Sequence, residues 1–252
     1  MNIQRNNVYH GDCLEIMKFI PDESINLILA DLPYGTTKAA FDSTIDLEKL
    51  WEQYNRIIKK DGAILLFAQT PFDKVLGASN IKMLKYEWIW EKTQATGFLN
   101  AKKMPMKAHE NILVFYKNAP TYNPQKTTGH KRKVSKAEHK VNCKESEVYN
   151  KNTKLTSYDS TERYPRSVLK FSSDKQKSKL HPTQKPLALI EYFIKTYSNE
   201  GDMVLDNVAG SFTTAVGCQN LNRRCIAIEL EEKYFEIGLN RLIENGKIRK
   251  NT

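Results

Sequence analysis

Val204-Leu205-Asp206-Asn207-Val208-Ala209-Gly210-Ser211 reads as a buried strand running straight into a turn of small residues. Outward from it the chain alternates. Downstream come a helix over Ser211–Leu221, a strand over Cys225–Leu230 and a helix over Glu231–Glu244. Upstream, Met203–Leu205 opens the strand, and Pro186–Tyr197 is a helix whose proline suits the first turn, where its missing N–H costs nothing. The N-terminal part repeats the pattern. Ile25–Ala30, Ala63–Ala68 and Ile112–Tyr116 are short, nearly continuous apolar runs, as expected of strands buried on both faces. Between the first two, Leu47, Leu50, Trp51, Tyr54, Ile57 and Ile58 have helical spacing, and Asp61-Gly62 ends that helix. Alternating strands and helices predict an α/β fold built on a doubly wound, mostly parallel sheet, with ligands at the carboxyl ends of the strands.

Two strand ends carry chemistry. Small residues at 207–211 let a ligand approach the backbone, and the next helix begins with free N–H groups. Glu229 stands 19 residues beyond Gly210 at the end of the following strand, where a carboxylate can accept hydrogen bonds from both hydroxyls of a ribose. A tight strand–helix turn and a surface glutamate would leave the same trace. At the other end, Asp31-Leu32-Pro33-Tyr34-Gly35 follows a buried strand directly. A β-turn capped by Asp31 fits these residues. So does a site for an exocyclic amine, whose lone pair is delocalised into its ring. A carboxylate and a carbonyl accepting its two hydrogens would free that lone pair, and an aromatic face would hold the base. The reaction would then be an in-line displacement governed by positioning.

The 252 residues suffice for one α/β domain with an insertion, and 40% of them are hydrophobic, so the chain should fold. Of 39 basic and 29 acidic residues, 16 and 6 fall between Lys117 and Leu180. That stretch therefore carries the whole net charge of +10, a field that attracts polyanions. A solvated basic loop accounts for the charge equally well. Its apolar residues are scattered, so the expected organisation is 1–116, an inserted loop-rich module 117–180, and 181–252. Cys13, Cys143, Cys218 and Cys225 are far apart, which argues against a zinc site or a disulfide framework. No metal is expected. Apolar runs are strand-length and the N-terminus has no signal-peptide pattern, which predicts a cytoplasmic protein without a membrane span.

Four motifs together resemble a family. Asp31-Leu32-Pro33-Tyr34 is similar to the D-P-P-Y motif of amino-group DNA methyltransferases. His181-Pro182-Thr183-Gln184-Lys185-Pro186 matches their H-P-T-Q-K-P element, Asp206 to Thr214 resembles their D-P-F-x-G-S-G-T-T loop, and Gly11-Asp12-Cys13-Leu14 resembles their G-D-C/A element. The order, catalytic motif before cofactor motif, resembles the permuted β class. The resemblance implies a Rossmann-like fold, S-adenosylmethionine as cofactor, double-stranded DNA as partner and transfer to adenine N6. Cytosine N4 is the alternative reaction, and an inactive DNA-binding homologue the alternative class. A homodimer and a separately acting cognate restriction endonuclease are compatible with it.

Residue by residue, the resemblance assigns Asp31 and the Leu32 carbonyl to the amine hydrogens and Tyr34 to stacking, with Pro33 biasing Leu32 toward an extended backbone. Asp12 and Cys13 fall at the cofactor's adenine and Glu229 at its ribose. Thr183 and Lys185 approach its carboxylate, and Asp206, Gly210 and Ser211 its methionine end. The insertion becomes the target-recognition region, with Lys131, Arg132 and Lys133 on DNA phosphates. Three departures stand out: Leu32 for proline, Asn207-Val208 for Pro-Phe, and Phe212 for the second glycine. The Phe212 ring either crowds the methionine end or points into the core.

Overall fold

The computed structural model describes residues 7–34, 45–136, 157–172 and 184–246. In chain order the elements are β1 (Asn7–His10), α1 (Cys13–Met17), β2 (Ile25–Ala30), α2 (Leu47–Ile57), β3 (Ile58–Ala68), α3 (Phe72–Ser79), β4 (Leu84–Thr96) and β5 (Lys107–Phe115). There follow β6 (Lys133–Ser135), β7 (Tyr158–Ser160), β8 (Val168–Phe171), α4 (Leu187–Tyr197), β9 (Met203–Asp206), α5 (Thr213–Asn220), β10 (Arg224–Glu229) and α6 (Glu232–Glu244). They fall into two compact units, one of Met1–Asn123 with Ser167–Thr252, the other of Pro124–Arg166.

The larger unit is built on an eight-stranded sheet in the order β1-β10-β9-β2-β3-β5-β4-β8. From β1 to β3 every pairing is parallel, whereas β5 runs antiparallel to both its neighbours and β4 pairs with β8 in parallel. Strand alternation divides the core. Ile28, Ala30, Ile64, Leu66, Leu205, Ile226 and Ile228 face one side, where α1, α2 and α3 supply Met17, Leu50, Trp51, Tyr54 and Leu76. Leu27, Leu29, Ala63, Leu65, Val204 and Ala227 face the other, against Leu189, Ile190, Phe193 and Ile194 of α4 and Ala215 and Val216 of α5. Because β2 and β3 bury both faces, they show no polar alternation, which explains their continuous apolar runs.

Local signals set the helices. Asp46 caps α2 by accepting hydrogen bonds from the backbone N–H groups of Glu48 and Lys49 at 3.0 and 3.3 Å. Its buried residues Leu50, Trp51, Tyr54 and Ile57 form one stripe, and each such burial contributes about 1.5–3 kcal/mol relative to exposure. Pro186 precedes α4 in an extended conformation (φ −60°, ψ 129°). Among the described residues no helix is long and apolar enough to cross a membrane.

The smaller unit has no buried side chain among its described residues. β6 and β7 pair antiparallel, and Thr127 bridges Arg163. Polar contacts hold the turn: Arg163 donates to the carbonyls of Ser160 and Glu162, and Lys126 pairs with Glu162 at 3.0 Å. β8, inside the stretch 117–180, belongs to the large sheet through its pairing with β4.

Candidate functional site

Parallel strands end together. His10, Glu229, Asp206, Ala30 and Ala68 are the last residues of β1, β10, β9, β2 and β3 and lie along one edge of the sheet. β5 passes this edge at Glu110, and β4 passes it at Trp90 and Lys92. A cavity of about 540 Å³ opens there, lined by residues at or next to these strand ends and by Gln184 and Lys185 before α4. Its size is that of a small-molecule site.

One wall comes from β9 and β10. Asp206 is 5% exposed and accepts from the N–H of Val208 at 3.3 Å and from the Thr214 side chain, both uncharged donors. Burial pushes its carboxyl up to about 7, and the negative charges of Asp31 and Glu229 add to the shift. Glu229 accepts from the backbone N–H of Gly210 at 2.7 Å and of Glu231 at 2.8 Å, which aims its carboxylate along the loop. Burial raises its carboxyl above the ordinary range, against the pull of those two N–H groups. Asp12 caps α1, its Oδ1 accepting from Leu14 N at 2.7 Å, while it also lines the cavity. Cys13 sits beside it, its thiol pushed up by burial and contacted by the Asn207 side-chain amide at 3.5 Å.

The loop after β9 is anchored from behind. Tyr54 donates to Asn207 Oδ1 at 2.6 Å, so the residue in place of proline is a buried hydrogen-bonded strut. Arg241 donates to the Ser211 carbonyl and to Thr213 Oγ1, each at 3.0 Å. Phe212 is fully buried, and its ring meets Phe235 edge-on at 5.8 Å. Ser211 and Thr213 line the cavity and Phe212 does not, so the ring points into the core. Its backbone is left-handed (φ 60°, ψ 36°), the conformation that favours glycine.

The facing wall comes from β2. Asp31 Oδ2 lies 2.5 Å from Lys185 Nζ, and Tyr34 donates its hydroxyl to Asp31 Oδ1 at 2.6 Å. Lys185 Nζ is also 3.2 Å from Glu110, which Lys92 contacts from its other side at 2.6 Å. The result is an alternating ladder, Asp31–Lys185–Glu110–Lys92, of two anions and two cations. Burial raises the Asp31 carboxyl and Lys185 pulls it back, with the net shift upward. For Lys185 burial acts downward, but Asp31 and Glu110 outweigh it and raise the ammonium. Glu110 is likewise pushed up by burial and brought net down by Lys185 and Lys92. Leu32 is 2% exposed, and it lines the cavity together with Pro33 and Tyr34.

The cavity thus brings together Asp12, Cys13, Asp31, Leu32, Pro33, Tyr34, Lys185, Asp206, Gly210, Ser211 and Glu229. Thr183 lies outside the described residues. Lys131, Arg132 and Lys133 are exposed in the smaller unit, where Arg132 is held by Asp159 through two hydrogen bonds of 2.7 and 2.5 Å. Sequence reasoning missed Glu110 and Lys92. An outward Glu or Lys on a strand looks the same whether it meets solvent or a cavity, and only the pairing of β4 with β5 puts them side by side.

A cationic cofactor fits this donor set. Asp206, Glu229, Asp12 and Asp31 face one cavity, and the two lysines there are matched by Glu110 and Asp31. Solved structures share the fold: an M1.HpyAVI–SAM complex (24% identity, TM-score 0.66, 94% of this chain and 98% of that one) and the cytosine-N4-specific PvuII DNA methyltransferase (17%, TM-score 0.68, 100% and 89%). DNA adenine methyltransferase YhdJ of Escherichia coli (strain K12) is 32% identical over 255 residues, covering 93% of this chain and 82% of that protein. Type II methyltransferase M.HpaI of Haemophilus parainfluenzae is 29% identical, covering 92% and 72%. A sequence model described as DNA methylase matches residues 25–240, and with the buried carboxylates ranged along one sheet edge it establishes that this chain belongs to the N6/N4 DNA methylase family of S-adenosylmethionine-dependent methyltransferases.

Proposed function

We propose that this chain methylates the N6 amino group of adenine in double-stranded DNA. The observation that carries the reading is the Asp31 carboxylate, at the end of β2 and in one cavity with Asp206 and Glu229. When bound, S-adenosylmethionine supplies a methyl group on a positively charged sulfur. Glu229 would accept the ribose hydroxyls. Asp206 would face the methionine end and Asp12 and Cys13 the adenine, with Gly210 and Ser211 keeping the loop close. Asp31 and the Leu32 carbonyl would accept the two hydrogens of the target amine, and Tyr34 would stack on the base. Lys185, fixed by Glu110, would favour the ionised form of Asp31, the form that accepts. The base must leave the duplex to arrive there, at a cost of about a few kcal/mol.

Adenine is favoured over cytosine by Asp31 at the first motif position and by the adenine methyltransferase YhdJ among the relatives. The basic stretch 117–180 is assigned to target recognition, its exposed Lys131 and Lys133 on phosphates and Arg132 restrained by Asp159. A cytoplasmic location goes with the same reading. The test is expression in a host lacking DNA methylation, followed by sequencing that distinguishes N6-methyladenine from N4-methylcytosine. Methyladenine at one repeated sequence is expected. Methylcytosine would overturn the base assignment, and unmodified DNA the activity.

A further inference from the structure

We propose that the turn between β4 and β5 is a wedge that enters duplex DNA as the target base leaves it. This rests on the reading of a base-flipping methyltransferase. The turn projects from the cavity's own wall, since Trp90, Lys92, Gln94 and Thr96 of β4 and Glu110 of β5 line the cavity. Its tip is apolar and unprotected: Phe98 is 77% exposed, Leu99 98%, Met104 53% and Met106 38%. Large apolar side chains grouped in this way on a surface mark a contact site.

The tip is also built to hold its shape. Gly97 adopts φ +91°, and a 3₁₀ turn over Phe98–Asn100 follows. Backbone hydrogen bonds run from Asn100 to Gly97, Ala101 to Phe98, and Lys103 and Met104 to Asn100, at 2.8–3.0 Å. Below it the register slips, with Glu91 opposite His109 but Thr96 opposite Lys107, so β4 carries extra residues. Bulges of this sort bend a strand and re-aim what it carries.

The chemistry of the occupant follows from the surroundings. Lys102, Lys103 and Lys107 are exposed around the apolar group. Cations beside a small apolar wedge match a base stack flanked by phosphates, and apolar side chains inserted between bases are an established way to unstack a duplex. A second copy of this chain would bring the same lysines against each other. An extruded base leaves a gap in the stack that such a wedge would fill.

The experiment compares wild type with a Phe98→Ala, Leu99→Ala double variant in the intact protein. Both residues are exposed, and a thermal melt checks that the fold is retained. The probes are two short duplexes carrying the sequence found methylated in the host, one fully paired, the other with an abasic site opposite the target base. Single-turnover methyl transfer by the variant should fall about tenfold or more on the paired duplex and stay within about threefold of wild type on the abasic one, where pairing no longer opposes extrusion. Equal losses on both duplexes, or none on the paired one, would overturn the wedge. So would a dimer-to-monomer change in sedimentation, which would make the tip an interface between copies. If the wild type methylates neither duplex, the methyltransferase reading itself fails and the wedge with it.

Discussion

The loops after β2 and β9 begin alike and end differently. The two strands are parallel neighbours, Leu27 opposite Val204 and Ile28 opposite Leu205, and each delivers an aspartate to the same cavity. Asp31 meets a cation, Lys185, and a phenol, Tyr34. Asp206 meets only uncharged donors and is pushed up to about 7 by burial. A carboxylate matched by a cation is pulled back toward its charged form, against the burial that raises it. An unmatched one is poised to ionise when a cation arrives. The fold supplies the position, and the packing partner decides the task.

The strongest way to break this comparison is Asp31→Ala. Methyl transfer should fall about 100-fold or more, as when a group acting on the transition state is removed. Affinity for S-adenosylmethionine should hold within a few-fold. Near-normal single-turnover transfer by a folded variant would undo the assignment of Asp31. On the opposite wall, Glu229→Ala should act on binding. Losing hydrogen bonds to a charged acceptor costs about 1.5–3 kcal/mol, roughly 10- to 150-fold in the calorimetric dissociation constant.

A pH series sharpens the contrast further. The folded-state pKa of Asp206, about 7, lies above its ordinary value of 3.8. Between those values the folded protein holds a proton that the unfolded chain has released. Stability without cofactor should therefore fall as pH rises through that window. Binding of the cationic cofactor favours the ionised form, so affinity should rise with pH until just above 7 and then level off. Asp206→Asn should remove this component, and a pH dependence identical to wild type would show that Asp206 does not face the cofactor. The smallest effect on the cofactor is expected from Phe212→Gly. Binding should change by less than about twofold, while stability drops by roughly 2–4 kcal/mol, the loss of a buried ring partly offset by relief of the left-handed backbone.

Much of this was readable in the chain because burial writes itself into local pattern. β2, β9, β10 and α4 fall where continuous apolar runs and a leading proline put them. The helix expected to reach Lys60 instead gives way to β3 at Ile58, since Ile58 fits either period. β1 and β8 are four-residue edge strands with half-exposed patterns, too short for their residue types to mark a strand. The antiparallel placement of β5 is a matter of which strand it meets, and nothing within Lys107–Phe115 encodes that. In the site, motif residues could be named because each sits next to a strand end in sequence. The Lys185–Asp31 contact spans 154 residues, and Glu110 belongs to no motif, so their ladder emerges only from the sheet order.

Phe212 has a counterpart. A Cβ placed on Gly238 of α6 would come within 2.5 Å of the Phe212 ring, so the two positions share one volume. What one position carries therefore limits what the other can carry. A glycine at the loop position would release the helix position to carry a side chain. In this chain neither can change alone without overlap or a void. Gly238→Ala should be harmful by itself and tolerated when Phe212 is made smaller, so that the pair behaves as a single inherited character.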